Sequence, residues 1–277
     1  MKESYFTASE NEQQAGIPFE TNLDTQLIGK NIVFYKKVTS TNDLAWLEVS
    51  RGTTEGVVVL ADEQLRGRGR FGRDWFSPAN KGIWLSVVIH LSKFPEDMFL
   101  LMAMGAIAVA DLLRNKFNLP ALIRWPNDVI INEKKIAGII IESKCIAKSP
   151  NTAVIGIGVN VNITESELPA DLKAITTSIG IEQKTPIILE LEPITRDLIY
   201  SLDKWHQKII NKELKSIQDA WRKFSGVLNR MVSIKINDEL LEGKLVDLDP
   251  CKGIALLDNE GNTCWWSGEK VELLRLI

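Results

Sequence analysis

From Ile155 to Ile163 the chain alternates without a break: Ile155, Ile157, Val159, Val161 and Ile163 at odd positions, Gly156, Gly158, Asn160 and Asn162 at even ones. A period of two is that of a β-strand, so one face is made for a core while the other carries little or no side chain. Glycines inside a strand cost stability unless another group must lie close to the backbone. That group is either a bound ligand, to which Asn160 offers both a donor and an acceptor, or an element packed tightly over the sheet. The pattern is not a dinucleotide fingerprint, because the third glycine is missing and the strand does not open a helix.

The rest of the chain must supply what covers this strand. With 277 residues, 45% of them hydrophobic and 25% charged, there is material for one large domain, or a large and a small one. Cys145, Cys251 and Cys264 are odd in number and widely spaced, which suggests neither a disulfide framework nor a zinc site and fits a cytoplasmic protein. The apolar run from Met98 to Ala110 is too short for a membrane span and reads as a core helix. The N-terminus, with Glu3, Glu10 and Glu12, is not a secretory signal. Two histidines, His90 and His206, both in core-like runs, leave serine–histidine–acid hydrolysis and multi-histidine metal sites without residues. No GxxxxGK[ST] is present, so a nucleotide would have to be held by arginine, lysine and backbone.

Residues 1–28 are polar and weakly patterned, and read as a short arm. Asn31–Tyr35 is a strand, Thr39-Ser40-Thr41-Asn42 caps a helix ending at Gly52, and further strands follow at Gly56–Asp62 and Gly82–Leu91. Pro95 opens a helix to about Asn118, Ile130–Ile141 is a hairpin turning at Asn132-Glu133-Lys134, and Ile194–Phe224 is helical with a break near Lys212. The expectation for residues 29–224 is an α+β domain with a mixed sheet and helices. From Met231 the texture changes to short alternating runs between turns at Asn237-Asp238, Asp249-Pro250 and Asn259-Glu260-Gly261-Asn262, so residues 225–277 read as a small all-β barrel.

Two clusters carry chemistry. Arg66-Gly67-Arg68-Gly69-Arg70-Phe71-Gly72-Arg73 concentrates guanidinium groups and mobile backbone in a chain whose net charge is only -3, next to the apolar wall Trp75-Phe76. Such a loop is either a solvated basic surface or a clamp for a carboxylate or phosphate. Arg124-Trp125-Pro126-Asn127-Asp128 fixes an extended turn and then offers an amide and a carboxylate. Lys135 begins the strand that holds Gly138, where a snorkelling surface lysine is the plainer reading.

Taken in order, Ser40-Thr41-Asn42, Gln64 with Gly67–Trp75, Trp125-Pro126-Asn127-Asp128, Lys135–Ile139 and Gly156–Asn160 resemble the biotin protein ligase family over roughly residues 30–165. The resemblance implies a class II synthetase-like biotin/lipoate ligase catalytic domain at 29–224 and an SH3-like barrel at 225–277. It implies that biotin and ATP, with Mg2+ carried by the ATP near Asp128, give biotinyl-5'-AMP, from which the biotinyl group passes to a lysine of a carboxylase's biotin carboxyl carrier domain. By the same matching, Ser40, Thr41, Asn42, Gln64, Arg68, Gly69, Arg70, Trp75, Lys135, Gly138 and Ile140 bind biotin. Arg70, Arg73, Asn127, Asp128, Lys135 and Asn160 bind ATP, and Lys135, Arg70 and Arg68 are catalytic. A homodimer formed through sheet edges is also implied.

Arg124 stands where the family often has lysine, replacing a point charge by a planar fork. Some members carry an N-terminal helix-turn-helix domain and repress transcription; the segment ahead of Asn31 is too short for one, so no DNA binding is expected. A lipoate or octanoate ligase or transferase would share the fold and the lysine, but not the arginine–glycine loop. A nucleic-acid-binding role for that loop is disfavoured by an acidic pI of about 5.6.

Overall fold

The computed structural model describes residues 23–91, 98–144, 151–258, 261–268, 270–271 and 273–277. The expected helix start at Pro95, Cys145, the Asn259-Glu260 turn and residues 1–22 of the arm lie outside these residues.

The chain begins with strand β1 (Ile32–Val38), helix α1 (Thr41–Ser50) and strand β2 (Val58–Gln64). Ser40 caps α1, its side chain accepting from the Asn42 N–H. The arginine–glycine segment folds as a small hairpin, β3 (Gly67–Arg68) and β4 (Asp74–Trp75), joined by a turn of 3-10 helix at Arg70–Gly72 in which Phe71 takes a φ of 59°. Then come β5 (Gly82–His90), the core helix α2 (Met98–Phe117), β6 (Leu122–Arg124), β7 (Asp128–Ile131), β8 (Lys134–Lys144) and β9 (Thr152–Asn160). The turn between β7 and β8 places Asn132 and Glu133 both at positive φ, the backbone that a two-residue hairpin requires. The Trp125-Pro126 peptide is cis. Helices α3 (Ile179–Gln183), α4 (Leu191–Ile210) and α5 (Leu214–Ser225) complete this part, with Lys212 at φ 60° in the break between α4 and α5.

Seven strands form one mixed sheet in the order β1-β2-β5-β9-β8-β7-β6, with β1 and β2 parallel and the other neighbours antiparallel. The alternation in β9 divides the sheet's two faces. Ile155, Ile157 and Val159 join the core that α2 and α4 share, whereas Gly156 and Gly158 turn to the side of α1. Helix α2 is long and apolar enough to cross a membrane by length and composition, yet 72% of that stretch is buried between the sheet and α4.

Residues 23–28 do not behave as a loose arm. Leu23 and Ile28 are buried, and the N–H groups of Gln26, Leu27 and Ile28 all donate to the carboxylate of Asp203 on α4 at 2.7–2.9 Å. Three backbone donors thus find one buried acceptor, which satisfies them without a sheet partner.

The C-terminal strands β10 (Met231–Ile236), β11 (Glu239–Asp249), β12 (Gly253–Leu257), β13 (Thr263–Trp266) and β14 (Leu273–Leu276) form an antiparallel sheet ordered β13-β12-β11-β10-β14. The edge strands β13 and β14 do not pair with each other, so the closure expected of a barrel is not formed among the described residues. This sheet is tied to the larger one. Arg222 on α5 bridges Asp247 and Asp249 on β11, and the Trp125 indole donates to the Val271 carbonyl at 3.2 Å while stacking on Phe99.

Candidate active site

Two adjoining clefts open on the α1 side of the sheet. The smaller is floored by β8 and β9 and walled by the N-terminus of α1 and the arginine–glycine hairpin. Ser40, Thr41, Asn42, Gln64, Arg68, Gly69, Trp75, Lys135, Gly138 and Ile140 line it. Glycines at 156 and 158 are required here by space: a Cβ at Gly156 would stand 2.4 Å from Asn42 Oδ1, and one at Gly158 2.3 Å from Trp75 Nε1. The close approach read from the β9 pattern is therefore made by Asn42 and Trp75, which are themselves cleft residues. Trp75 Nε1 is buried with no hydrogen-bond partner among the described residues.

A buried polar chain backs this cleft. The Thr41 N–H and hydroxyl donate to Gln64 Oε1 at 2.8 and 3.1 Å, Gln64 Nε2 donates to Ser77 Oγ at 2.9 Å, and Ser77 donates to the Trp75 carbonyl at 3.0 Å. The Ser86 hydroxyl lies 2.6 Å from Asn42 Oδ1 and 2.8 Å from Thr41 Oγ1. Arg68 is anchored between two acids, donating to Asp43 at 2.8 Å and to Glu142 at 3.0 Å. Burial alone would raise the Glu142 pKa, but donors from Asn42, Trp46 and Arg68 outweigh it and hold the carboxyl below its ordinary range. For Arg68, burial is likewise outweighed by Asp43 and Glu142, and its pKa is raised. Ser77, Ser86, Asp43 and Glu142 were not singled out from the sequence. Ser86 is the lone hydroxyl in the run Gly82–Ile89, which is the one signal that could have marked it.

The larger trough, about 3190 Å³ and open to solvent, runs from the hairpin to the C-terminal sheet and is lined by Arg70, Arg73, Asn127, Asp128, Lys135 and Asn160. Arg70 is not brought to the smaller cleft; its Nη1 reaches Asn127 Oδ1 at 3.4 Å in the larger one. Arg73 is exposed on the trough, whereas Asn160 is buried and donates to the Thr177 carbonyl at 3.0 Å. His90 and His206 line neither cleft.

Lys135 belongs to both clefts. Its Nζ lies 2.6 Å from Asp128 Oδ1 and 4.8 Å from the centre of the Trp75 ring, so it is not the snorkelling surface residue of the plainer reading. Arg124 takes the other Asp128 oxygen at 3.2 Å. A carboxylate with a cation on each oxygen is a poor metal ligand, and no group of three or more His, Cys, Asp or Glu side chains among the described residues is arranged to hold a metal ion.

The arrangement is two cation-edged clefts that share one lysine. It can bring two anions together and neutralise them while they react. Residues 34–160 match the model of the biotin/lipoate A/B protein ligase family. The bifunctional ligase/repressor BirA of Bacillus subtilis is 29% identical over 245 residues, covering 86% of this chain and 73% of that protein. The biotin--[acetyl-CoA-carboxylase] ligase of Mycobacterium tuberculosis is 33% identical over 162 residues, 55% of this chain and 59% of that protein. The biotin protein ligase of Aquifex aeolicus in complex with biotin and ATP superposes with a TM-score of 0.77 at 25% identity, over 90% of this chain and 100% of that one. The family match spans the strands that floor the smaller cleft, and biotin ligases recur among the similar sequences and structures alike, so what this chain resembles in sequence and fold is a biotin protein ligase.

Proposed function

We infer that the protein is an ATP-dependent biotin protein ligase, which activates biotin and transfers it to a lysine of a biotin carboxyl carrier domain. The observation that carries this reading is the position of Lys135, shared by a small cleft and a broad arginine-edged trough. In the first step a biotin carboxylate oxygen attacks the α-phosphorus of ATP, forming the acyl–phosphate bond as the bond to pyrophosphate breaks. In the second, the acceptor amine attacks the acyl carbon, AMP leaves, and the amine's proton passes to solvent. Both steps crowd negative charge where Lys135 Nζ can meet it.

In this reading Ser40, Thr41, Asn42 and Gln64 meet the neutral ureido head, whose donors and acceptors they match. Trp75, Gly138 and Ile140 enclose the apolar ring and chain. Arg68 closes the hairpin over the cleft, and Arg70, Arg73, Asn127, Asp128 and Asn160 face the nucleotide. Mg2+ enters as the companion of the triphosphate, since Asp128 is already neutralised by Lys135 and Arg124. Residues 29–224 are the catalytic domain, and residues 225–277 are a C-terminal domain of SH3-like descent. Among the described residues β8 extends past β7 from Ile140 to Lys144, and this edge is the surface through which we propose homodimerisation. A cytoplasmic location fits the odd-numbered, widely spaced cysteines, and an acidic pI of about 5.6 fits a protein that does not bind DNA.

The test is to incubate the protein with ATP, biotin and a purified biotin carboxyl carrier domain and to weigh the carrier. Addition of one biotinyl group, dependent on ATP and lost when the acceptor lysine is replaced, supports the reading; an unmodified carrier contradicts it.

A further inference from the structure

We propose that Glu142 is a positioning residue of the smaller cleft: one carboxylate that turns the Asn42 amide and seats Arg68, fixing the hydrogen-bond pattern offered to a polar head group. The proposal rests on the ligase reading above and names what gives its biotin subsite a single orientation.

Glu142 lies on β8, beyond Lys135, and does not line either cleft. Its Oε1 accepts from Asn42 Nδ2 and Arg68 Nη2, both at 3.0 Å, and its Oε2 accepts from Trp46 Nε1 at 2.8 Å. An ionised carboxylate has no hydrogen to give, so Asn42 must present its NH2 to Glu142 and its Oδ1 the other way. There Oδ1 meets the Ser86 hydroxyl at 2.6 Å, in the space that Gly156 leaves. Gln64, at the other end of the cleft, is held in one sense by its own neighbours: its Oε1 accepts from the Thr41 N–H, and its Nε2 donates to Ser77, whose hydroxyl passes on to the Trp75 carbonyl. Asn42, Thr41 and Ser86 are nearly inaccessible to water, at 3%, 3% and 0% exposure, so a reversed amide could not be rescued by solvent.

The second grip is on Arg68. Asp43 on α1 and Glu142 on β8 hold its two terminal nitrogens from opposite sides, which fastens the strand β3 to the wall of the cleft. A neutral amide at 142 would keep the shape but offer one oxygen and one NH2 to three donors. At least one donor would then face another donor.

Biotin affinity by calorimetry, with KM for biotin and for ATP measured separately and thermal melting as a control, decides the matter for wild type, Glu142→Gln, Asn42→Asp and the double variant. Glu142→Gln is expected to weaken biotin binding about 10-fold or more, with KM for ATP held within about two-fold. Asn42→Asp sets carboxylate against carboxylate and is expected to lose biotin binding. The double variant restores one donor facing one acceptor and is expected to recover about 10-fold or more of the Asn42→Asp loss. Biotin affinity within about two-fold of wild type in Glu142→Gln, or a parallel rise in both KM values, would overturn the proposal. If Glu142→Gln alone does not melt cooperatively, the double variant decides, and no recovery of folding or binding in it overturns the proposal. Wild-type protein that binds no biotin would overturn the ligase reading itself.

Discussion

Gly158 on β9 lies directly beneath the indole of Trp75, so close that a Cβ at position 158 would stand 2.3 Å from Trp75 Nε1 and 2.6 Å from Cε2. On the neighbouring strand its register partner Gly138 is also glycine, and a Cβ there would meet both Lys135 and Trp75 at 3.0–3.2 Å. The pair makes a flat bed on which the ring rests and against which the lysine is held. Gly158→Ala must therefore push the indole into the cleft. Biotin affinity should fall about 10-fold or more, and overpacking should cost about 1–3 kcal/mol of stability. Calorimetry and denaturant unfolding of the variant check both.

The Asp203 carboxylate accepts three backbone N–H groups from residues 26–28 and is 4% exposed. Asp203→Ala leaves three amide donors without that partner beside the core, so denaturant unfolding should show a loss of at least about 2 kcal/mol. Asp203 lines neither cleft, so the KM values for biotin and ATP should stay within about two-fold of wild type.

What could be read from the chain follows the range of the interactions involved. The β9 alternation, the Asn132-Glu133 hairpin and the break at Lys212 are local, and a period or a turn residue reports them directly. Both clefts gather the residues that the motifs marked, save that Arg70 faces only the trough. Glu142 and Ser86 were invisible because their roles are made by partners far along the chain: Glu142 meets Asn42 from 100 residues away and Ser86 meets it from 44. Asp203 hid for the same reason, since an acid inside an amphipathic helix ordinarily marks the solvated face. Closure of the C-terminal sheet was not legible in the chain, because alternation and turns fix strands but not whether two edge strands meet.

Acid should destabilise the protein in a defined window. Glu167 is lowered to about 2, first by its hydrogen bond with Lys81 and then by the Thr164 N–H, and Glu142 is also lowered. A carboxylate with a folded pKa below its unfolded value stabilises fully above the unfolded value and loses that contribution as pH falls through the folded one. Stability should thus decline from about pH 4.5 toward pH 2. Glu167→Gln should shallow the slope only slightly, because its partner Lys81 and it are both partly exposed. Unfolding curves across that range check the sign.

Trp125 links the two sheets through its indole N–H to the Val271 carbonyl and its stack on Phe99. Trp125→Phe removes the hydrogen bond and part of the packing, and should cost about 1–3 kcal/mol. Because Trp125 precedes Asn127 and Asp128 on the trough, KM for ATP should rise while biotin affinity stays near wild type. Separate titrations of the two substrates check this.

The central claim is that Lys135 joins a biotin cleft to an ATP trough. ATP–pyrophosphate exchange measured with biotin, lipoate or octanoate, in wild type and Lys135→Ala, tests it most directly. The account predicts exchange with biotin that falls at least about 100-fold in Lys135→Ala. Exchange with lipoate alone, no exchange with any acid, or undiminished exchange in Lys135→Ala would contradict it.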